Sequence, residues 1–392
     1  MRRFSAQYSI TGTGQILKRG IITTDSNGRI AEIIDTGGAL TELSNTEFHN
    51  GIIIPGFVNC HCHLELSGMH KKIDENTGLG EFIKNVRGKR PPDNTDNTKK
   101  IAEADKRMYL SGISACGDIC NNSITFSIKN TSPVKYINFL EVFGIDPLKA
   151  DKRIREVLEL KKEADNTGIE SYIVPHSLYS MSATLLRKVK DLTSDNKIVS
   201  LHFLESEQES RLLANAGGDL MKSYRAMGIS PEMLYDRVPD HNTGIKEYIS
   251  DNGNLILVHN TFATEKDIEA ALNRGNCYFC LCPGSNMYIE NTLPPVNRLI
   301  NMGAEIVLGT DSLASNSSLN ILEEMKIISL NFPGLPMPEL VRWATINGAR
   351  ALKIDNEYGS IEKGKVPGLV LIENADIANM RLTADSRACR LV

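Results

Sequence analysis

"PGFVNCHCHLEL", residues 55–66, sets cysteine and histidine alternately in a row as Cys60, His61, Cys62 and His63. Four adjacent side chains cannot all reach one point, so the stretch reads as a zinc staple, a redox pair or one corner of an active site. Strand geometry decides between them. Successive side chains of an extended chain point to opposite faces, so His61 and His63 point together while Cys60 and Cys62 point the other way. The histidines can then chelate, and the cysteines are expected to face outward and pack beneath helices, as buried free thiols commonly do.

Working outward, the stretch is the first of eight short apolar runs. The others are "GISACGDIC", "VKYINFLEV", "ESYIVPHS", "KIVSLHFLE", "NLILVHN", "NCYFCLCP" and "EIVLGTD". Helical candidates such as "TKKIAEADKRMYLSG", "ADKRIREVLELKKEAD", "ATLLRKVKDLTS" and "TEKDIEAALNRG" lie between them. Continuous apolar strands alternating with helices imply a parallel sheet covered on its faces. Eight of them fit an α/β fold of the (β/α)8 TIM-barrel type, over residues 52–358. The first fifty residues differ: "TGTG" (11–14) and "DSNG" (25–28) mark turns between short strands. The tail, "GSIEKGKVPGLVLIENADI" (359–377), returns to that texture. Residues 1–51 and 359–392 are therefore expected to pack into one small β-sandwich beside the barrel.

Composition narrows the class. The 392 residues are 41% hydrophobic and 23% charged with a net charge of −4, an ordinary globular balance. "KNVRGKR" (84–90) is a solvated helix end rather than a nucleic-acid footprint. No apolar segment follows the two N-terminal arginines, and "GIIIPGFV" is too short to span a bilayer. A soluble, cytoplasmic protein that engages neither nucleic acid nor membrane is the expectation, with a homo-oligomer left open. Eight cysteines spread over the chain make reduced thiols the default.

Polar residues gather at the C-terminal ends of the proposed strands: His61 and His63, His176, His202, His259 and Asp311. In a barrel those ends converge on one face, where active sites lie. Histidine with carboxylate and an open coordination position is a catalytic ligand set, whereas structural zinc prefers cysteine. "HLE" (63–65) matches the H-x-E of cytidine deaminases, but the companion P-C-x-x-C is absent. "CYFC" has C-x-x-C spacing, yet in a strand Cys277 and Cys280 face opposite sides. Any single histidine is better read as a hydrogen-bonded core residue; five with an aspartate at strand ends are not. Glu205, three residues after His202, can lean over a metal as a proton shuttle. Its bland alternative is to open the next helix, as Glu207 and Glu209 are read to do in a solvated first turn.

At these residues the chain resembles the amidohydrolase superfamily. It is most similar to the branch of S-adenosylhomocysteine and methylthioadenosine deaminases, aminodeoxyfutalosine deaminase and chlorohydrolases. "PGFVNCHCHLELSG", "PHSLYSMS", "LHFLESEQE", "LVHNTF", "CLCPGSNMYIENTLPPV" and "GTDSLASNSSLNILEEMK" carry the likeness, and "ATINGARALKID" continues it. The resemblance implies one divalent metal, zinc or alternatively iron, on His61, His63, His202 and Asp311. It implies that Glu205 and His259 flank the attacking water and that Asp311 and His259 orient it and take its proton. His176 matches a substrate-binding position. "SLASN" matches the loop after the metal-binding aspartate, so Ser315 and Asn316 are expected to contact substrate. "PHS" at the fourth strand end suggests no carboxylated lysine, which argues against a binuclear centre.

Hydrolytic deamination of an amino-substituted N-heterocycle, adenosine-like, is the activity implied. Dechlorination of a triazine-like ring or hydrolysis of a cyclic amide would use the same site. A ligand-binding barrel without turnover would have no need of Glu205. Two departures bear on substrate. His202 and His259 lie 57 residues apart (259 − 202), a long interval that includes "MGISPEMLYDRVPDHNTG". The loop "DENTGLGEFIKNVRGKR" after the first strand lacks the tryptophan pattern of the deaminases.

Overall fold

Apolar runs bounded by glycine and asparagine become strands, and they pair in two distinct ways. The computed structural model describes all of residues 1–392 except 42 and 93. Near the N-terminus lie β1 (Arg2–Ile10), β2 (Ile16–Lys18), β3 (Ile21–Thr24), β4 (Ile30–Ile34) and β5 (Thr46–Pro55). Eight strands follow: β6 (Phe57–Cys62), β7 (Ile113–Cys120), β8 (Lys135–Val142), β9 (Ser171–Pro175), β10 (Ile198–Phe203), β11 (Asn254–His259), β12 (Cys277–Leu281) and β13 (Glu305–Leu308). Last come β14 (Leu369–Glu373) and β15 (Arg387–Arg390).

Both chain ends meet in one seven-stranded sheet, ordered β15-β14-β5-β1-β3-β4 with β2 on β1. The turns at 11–14 and 25–28 connect antiparallel neighbours, as their residues predict. β5 sits inside this sheet, parallel to β1 and antiparallel to β14. The apolar run that begins at Ile52 is thus divided at Gly56, with Ile52–Ile54 in the end sheet and Phe57 onward in the next layer. Arg390 ties the layers together, donating to the Ile113 carbonyl and stacking over Tyr109.

β6 to β9 and β10 to β13 form two four-stranded parallel sheets. Helices between them, among them Ala150–Asp165 and Glu265–Arg274, follow the amphipathic stretches. The two sheets touch at both edges. Parallel bridges join Ser177 to His202 and Cys62 to Asp311. The His202 N–H donates to the His176 carbonyl at 2.8 Å, and the Thr310 N–H to that of His61 at 3.0 Å. One buried cluster draws side chains from all eight strands, including Val58, Ala115, Phe139, Val174, Ile198, Val258, Cys280 and Val307. Their alternate neighbours, such as Cys116, Leu201 and Leu308, pack against the helices. No helix among the described residues is long and apolar enough to cross a membrane.

The reading of the two cysteines needs correction. Cys62 packs outward with Leu64, Ile101 and Met108 as expected, but Cys60 belongs to the inner cluster with Val58 and Cys280. The cause is an irregularity in β6, whose register against β7 shifts between Asn59 and Cys62. A bulge places two consecutive residues on one side, so Cys60 and His61 both turn inward. The Cys60 thiol closes against the helix Ile346–Ala351, where a β-carbon built on Gly348 would lie 2.9 Å from its sulfur and 3.0 Å from Val58 Cβ. Gly348→Ala is therefore expected to destabilise the fold by about 1–3 kcal/mol through overpacking. Thermal denaturation should show a lowered melting point, partly restored by adding Cys60→Ala. Unchanged melting of the single variant would count against this packing.

Candidate active site

Strand order, not sequence distance, gathers the polar residues. β6 delivers His61 and, just beyond its end, His63; β10 delivers His202 and β11 ends on His259. Asp311 follows β13 and pairs back to Cys62. His63 Nε2 lies 3.1 Å from His61 Nε2 and 3.3 Å from His202 Nε2. Asp311 Oδ1 is 3.6 Å from His61 Nε2 and 3.4 Å from His63 Nε2. Ligand atoms of His61, His63 and Asp311 fall within 4.8 Å of one another, as do those of His61, His202 and His259. All five side chains are buried. His259 (φ 77°), Asp311 (φ 55°) and Leu204 (φ 50°) occupy the left-handed region. Non-glycine residues persist there only when their surroundings enforce it, and such strain clusters at functional sites.

Burial sets the protonation. It pushes the imidazoles of His63 and His202 well below their ordinary range, and that of His259 to about 3. Burial works against the Asp311 carboxylate, but the opposing effects, led by a hydrogen bond from His61, hold the group well below its usual range. Neutral imidazoles beside an ionised carboxylate are the donor set of a divalent cation. His259 Nε2 is buried without a hydrogen-bond partner, which fits such a group. Cys277 and Cys280 belong to different layers, and every cysteine is a free thiol.

Glu205 stands beyond β10 with Oε1 3.7 Å from His259 Nε2. Burial, with Asp311 and Glu209 adding to it, raises its carboxyl well above the usual range. Glu209 is not in a solvated turn: its carboxylate is buried and accepts the N–H groups of Leu204 (3.2 Å), Glu205 (2.6 Å) and Ser206 (3.1 Å). It thereby fixes the backbone that carries Glu205, as half of a capping box with Ser206. Glu207 is solvated as read, with its side chain 63% exposed.

The remaining expected residues lie close by. His176 stacks on His202 with ring centroids 4.5 Å apart, and its Nδ1 is 2.8 Å from Ser180 Oγ. Ser315 Oγ donates to Asp311 Oδ2 at 2.6 Å. The Asn316 amide donates to the Thr310 carbonyl at 2.8 Å and to Glu324 Oε1 at 2.7 Å. Both side chains are thus engaged with the loop around Asp311. Sequence reasoning missed Ser285, a second 2.6 Å donor to Asp311 Oδ2, and Asn286, 3.3 Å from His259 Nδ1. It also missed Glu141, buried 3.5 Å from His202 Nδ1, whose carboxyl burial raises to about 8. A charged residue closing the apolar run "YINFLEV" was the available signal for it.

The two stretches that depart from the deaminase pattern meet each other. Helix Leu79–Lys89 lies against helix Asp219–Ala226, where a β-carbon on Gly80 would be 2.7 Å from Ser223 Oγ. Arg87 donates to the Met227 carbonyl at 3.1 Å.

Comparison with known proteins places this geometry. The profile of the Amidohydrolase family matches residues 52–389. An adenosine deaminase of Helicobacter pylori is 27% identical over 334 residues, covering 81% of this chain and 78% of its own. A 5-methylthioadenosine/S-adenosylhomocysteine deaminase of Caldicellulosiruptor saccharolyticus is 27% identical over 387 residues, covering 94% and 83%. Among solved structures, H. pylori aminofutalosine deaminase in complex with methylthio-coformycin superposes with a TM-score of 0.78 at 24% identity, covering 95% of this chain and 92% of that one. An atrazine chlorohydrolase of Arthrobacter aurescens with zinc and atraton gives 0.71 at 17% identity, covering 94% and 86%. These folds have in common a TIM-barrel-like α/β domain. With its profile matched over most of its length and its strand-end histidines and aspartate converging, the chain belongs to the Amidohydrolase family.

Proposed function

We propose that the chain is a mononuclear, metal-dependent deaminase of adenosine-like compounds, releasing ammonia. The observation that carries this reading is the convergence of His61, His63, His202 and Asp311 beside a carboxyl, Glu205, that burial raises well above the usual range. The deaminase names of relatives that align along most of the chain support it. In our reading residues 52–358 close into one (β/α)8 barrel, supported by the bridges at both sheet edges. Residues 1–51 and 359–392 form the small β-sandwich domain, with β5 carrying the junction to Pro55. A net charge of −4 without a basic run suits a small soluble substrate rather than nucleic acid.

His61, His63, His202 and Asp311 hold the cation. Zinc is favoured over iron by its presence in related structures, including an adenosine deaminase of Xanthomonas campestris. Bound there, a divalent ion supplies Lewis acidity that generates hydroxide from water near neutral pH. The chain's own groups do the rest. Asp311 and His259 orient the water and take its proton. Glu205 donates its proton to the ring nitrogen next to the amino-bearing carbon, so that hydroxide adds to that carbon. The amine then accepts the proton that Asp311 took from water, the C–N bond breaks with its electron pair leaving on nitrogen while the added hydroxyl returns a proton to Glu205, and ammonia departs. His176, with Ser315 and Asn316 shaping the loop opposite, contacts the substrate. The paired helices 79–89 and 219–226 cap its tail.

Elemental analysis of purified protein should give close to one divalent equivalent per chain, and His61→Ala should largely empty the site. Two equivalents per chain would overturn the mononuclear assignment. Glu205→Gln should keep the ion and the fold while turnover falls by about 10²–10⁴-fold, the usual range for general acid–base catalysis. Loss of metal in that variant would show Glu205 to be a ligand instead. Ammonia release should be measured against adenosine, 5′-substituted adenosines and other amino-heterocycles. Release of chloride from a triazine, or opening of a cyclic amide, with no ammonia from any of them would replace the deaminase reading.

A further inference from the structure

A buried charge pair stands on the helix-facing side of β6 and β7 that the chemistry above leaves unused. Lys129 Nζ lies 2.5 Å from Asp118 Oδ2, and both side chains are wholly buried. The ammonium also donates to Asn138 Oδ1 at 2.8 Å and Cys120 Sγ at 3.0 Å. Cys62, Cys116 and Asp118 place three ligand atoms within 4.8 Å of one another, a grouping that resembles a second metal site. Lys129 already supplies its positive charge.

The other oxygen of Asp118 reaches the histidine strand. Asp118 Oδ1 accepts the N–H of Leu64 at 2.8 Å, one residue after His63 and beyond the end of β6. Regular pairing has already failed here: the register shifts after Asn59, and the ladder resumes only where Cys62 faces Asp118. Glu65 is held in the same way, accepting the Asn121 N–H at 3.0 Å and pairing with Arg90 at 2.9 Å. On the β7 side the backbone just past His63 is therefore held by side chains, which complement the backbone bridge from Cys62 to Asp311 on the other side. A buried carboxylate alone carries a heavy desolvation cost, and the ammonium offsets it.

We infer that Asp118, paired with Lys129, is a positioning residue that fixes the His61–His63 spacing by anchoring Leu64. The inference rests on the reading that those histidines bind a cation. Partners behind metal ligands govern affinity because they limit where the ligand can point.

Two charge-free variants separate this role from plain stability. Asp118→Asn with Lys129→Met keeps an oxygen acceptor for Leu64; Asp118→Leu with Lys129→Met removes it. Replacing a buried ion pair with packed neutral groups often leaves stability intact. The zinc dissociation constant of the metal-free proteins is read by competition with a chromophoric chelator, and circular-dichroism melting controls for folding. The leucine variant should bind zinc about 10–100-fold more weakly than wild type, the asparagine variant within about threefold. Equal affinity in the two folded variants, high or low, overturns the inference. Wild type that binds no zinc would instead bring down the metal-site reading itself. If the leucine variant does not fold, the asparagine variant decides alone. Affinity within about threefold of wild type supports the anchor, and a loss of about tenfold or more assigns the effect to the charge pair and overturns it.

Discussion

Four imidazoles and one carboxylate share a single buried space, and much of the surrounding structure keeps their lone pairs aimed at one another. Burial holds the imidazoles of His63, His202 and His259 below their ordinary range, and a hydrogen bond from His61 leads the effects that keep Asp311 ionised against the cost of its own desolvation. No single element could assemble such a group. Its five members arrive on four strands, at a strand end or just past one, so the parallel order of β6 to β13 is a precondition for the chemistry. The local cost is visible in the left-handed backbone at Leu204, His259 and Asp311. It is supported by close polar contacts: Ser285 and Ser315 on Asp311, and Glu209 beneath Glu205.

Much of this was legible in the sequence because parallel strands buried on both faces read as unbroken apolar runs. All eight runs became strands, and the histidines and aspartate at their ends came together. Reading failed where a local irregularity or burial, rather than residue type, decides the outcome. Strict alternation puts Cys60 on the face opposite His61, and nothing in "VNCHC" announces the register shift that sets both on the inner side. An acidic first turn looks the same in sequence whether solvated, as at Glu207, or turned inward, as at Glu209. Glu141, Asp118 and Lys129 sit in or beside apolar stretches, where one charge in the sequence does not reveal its partner.

The two regions that depart from the deaminase pattern also become intelligible together. Either alone, the altered loop after β6 or the long interval before β11, is unexplained. In the fold they pack on each other through Gly80 and Ser223, with Tyr288 bonded to the Ile73 carbonyl and Glu290 to the Leu79 N–H. A change in one is therefore felt by the other, and the cap proposed over the substrate's tail is built from both segments together.

The end sheet bears on how the molecule is made. β5, with its consecutive Ile52, Ile53 and Ile54, needs β14 on one side, and β14 leaves the ribosome only after every strand from β6 to β13 has been synthesised. Until then the nascent chain carries an apolar strand with one edge unpaired, the feature most prone to joining a neighbouring chain. Synthesis of this protein thus has a vulnerable interval that closes only when Leu369–Glu373 emerges, and shielding of that edge by a chaperone, or slowed translation, would bear directly on yield.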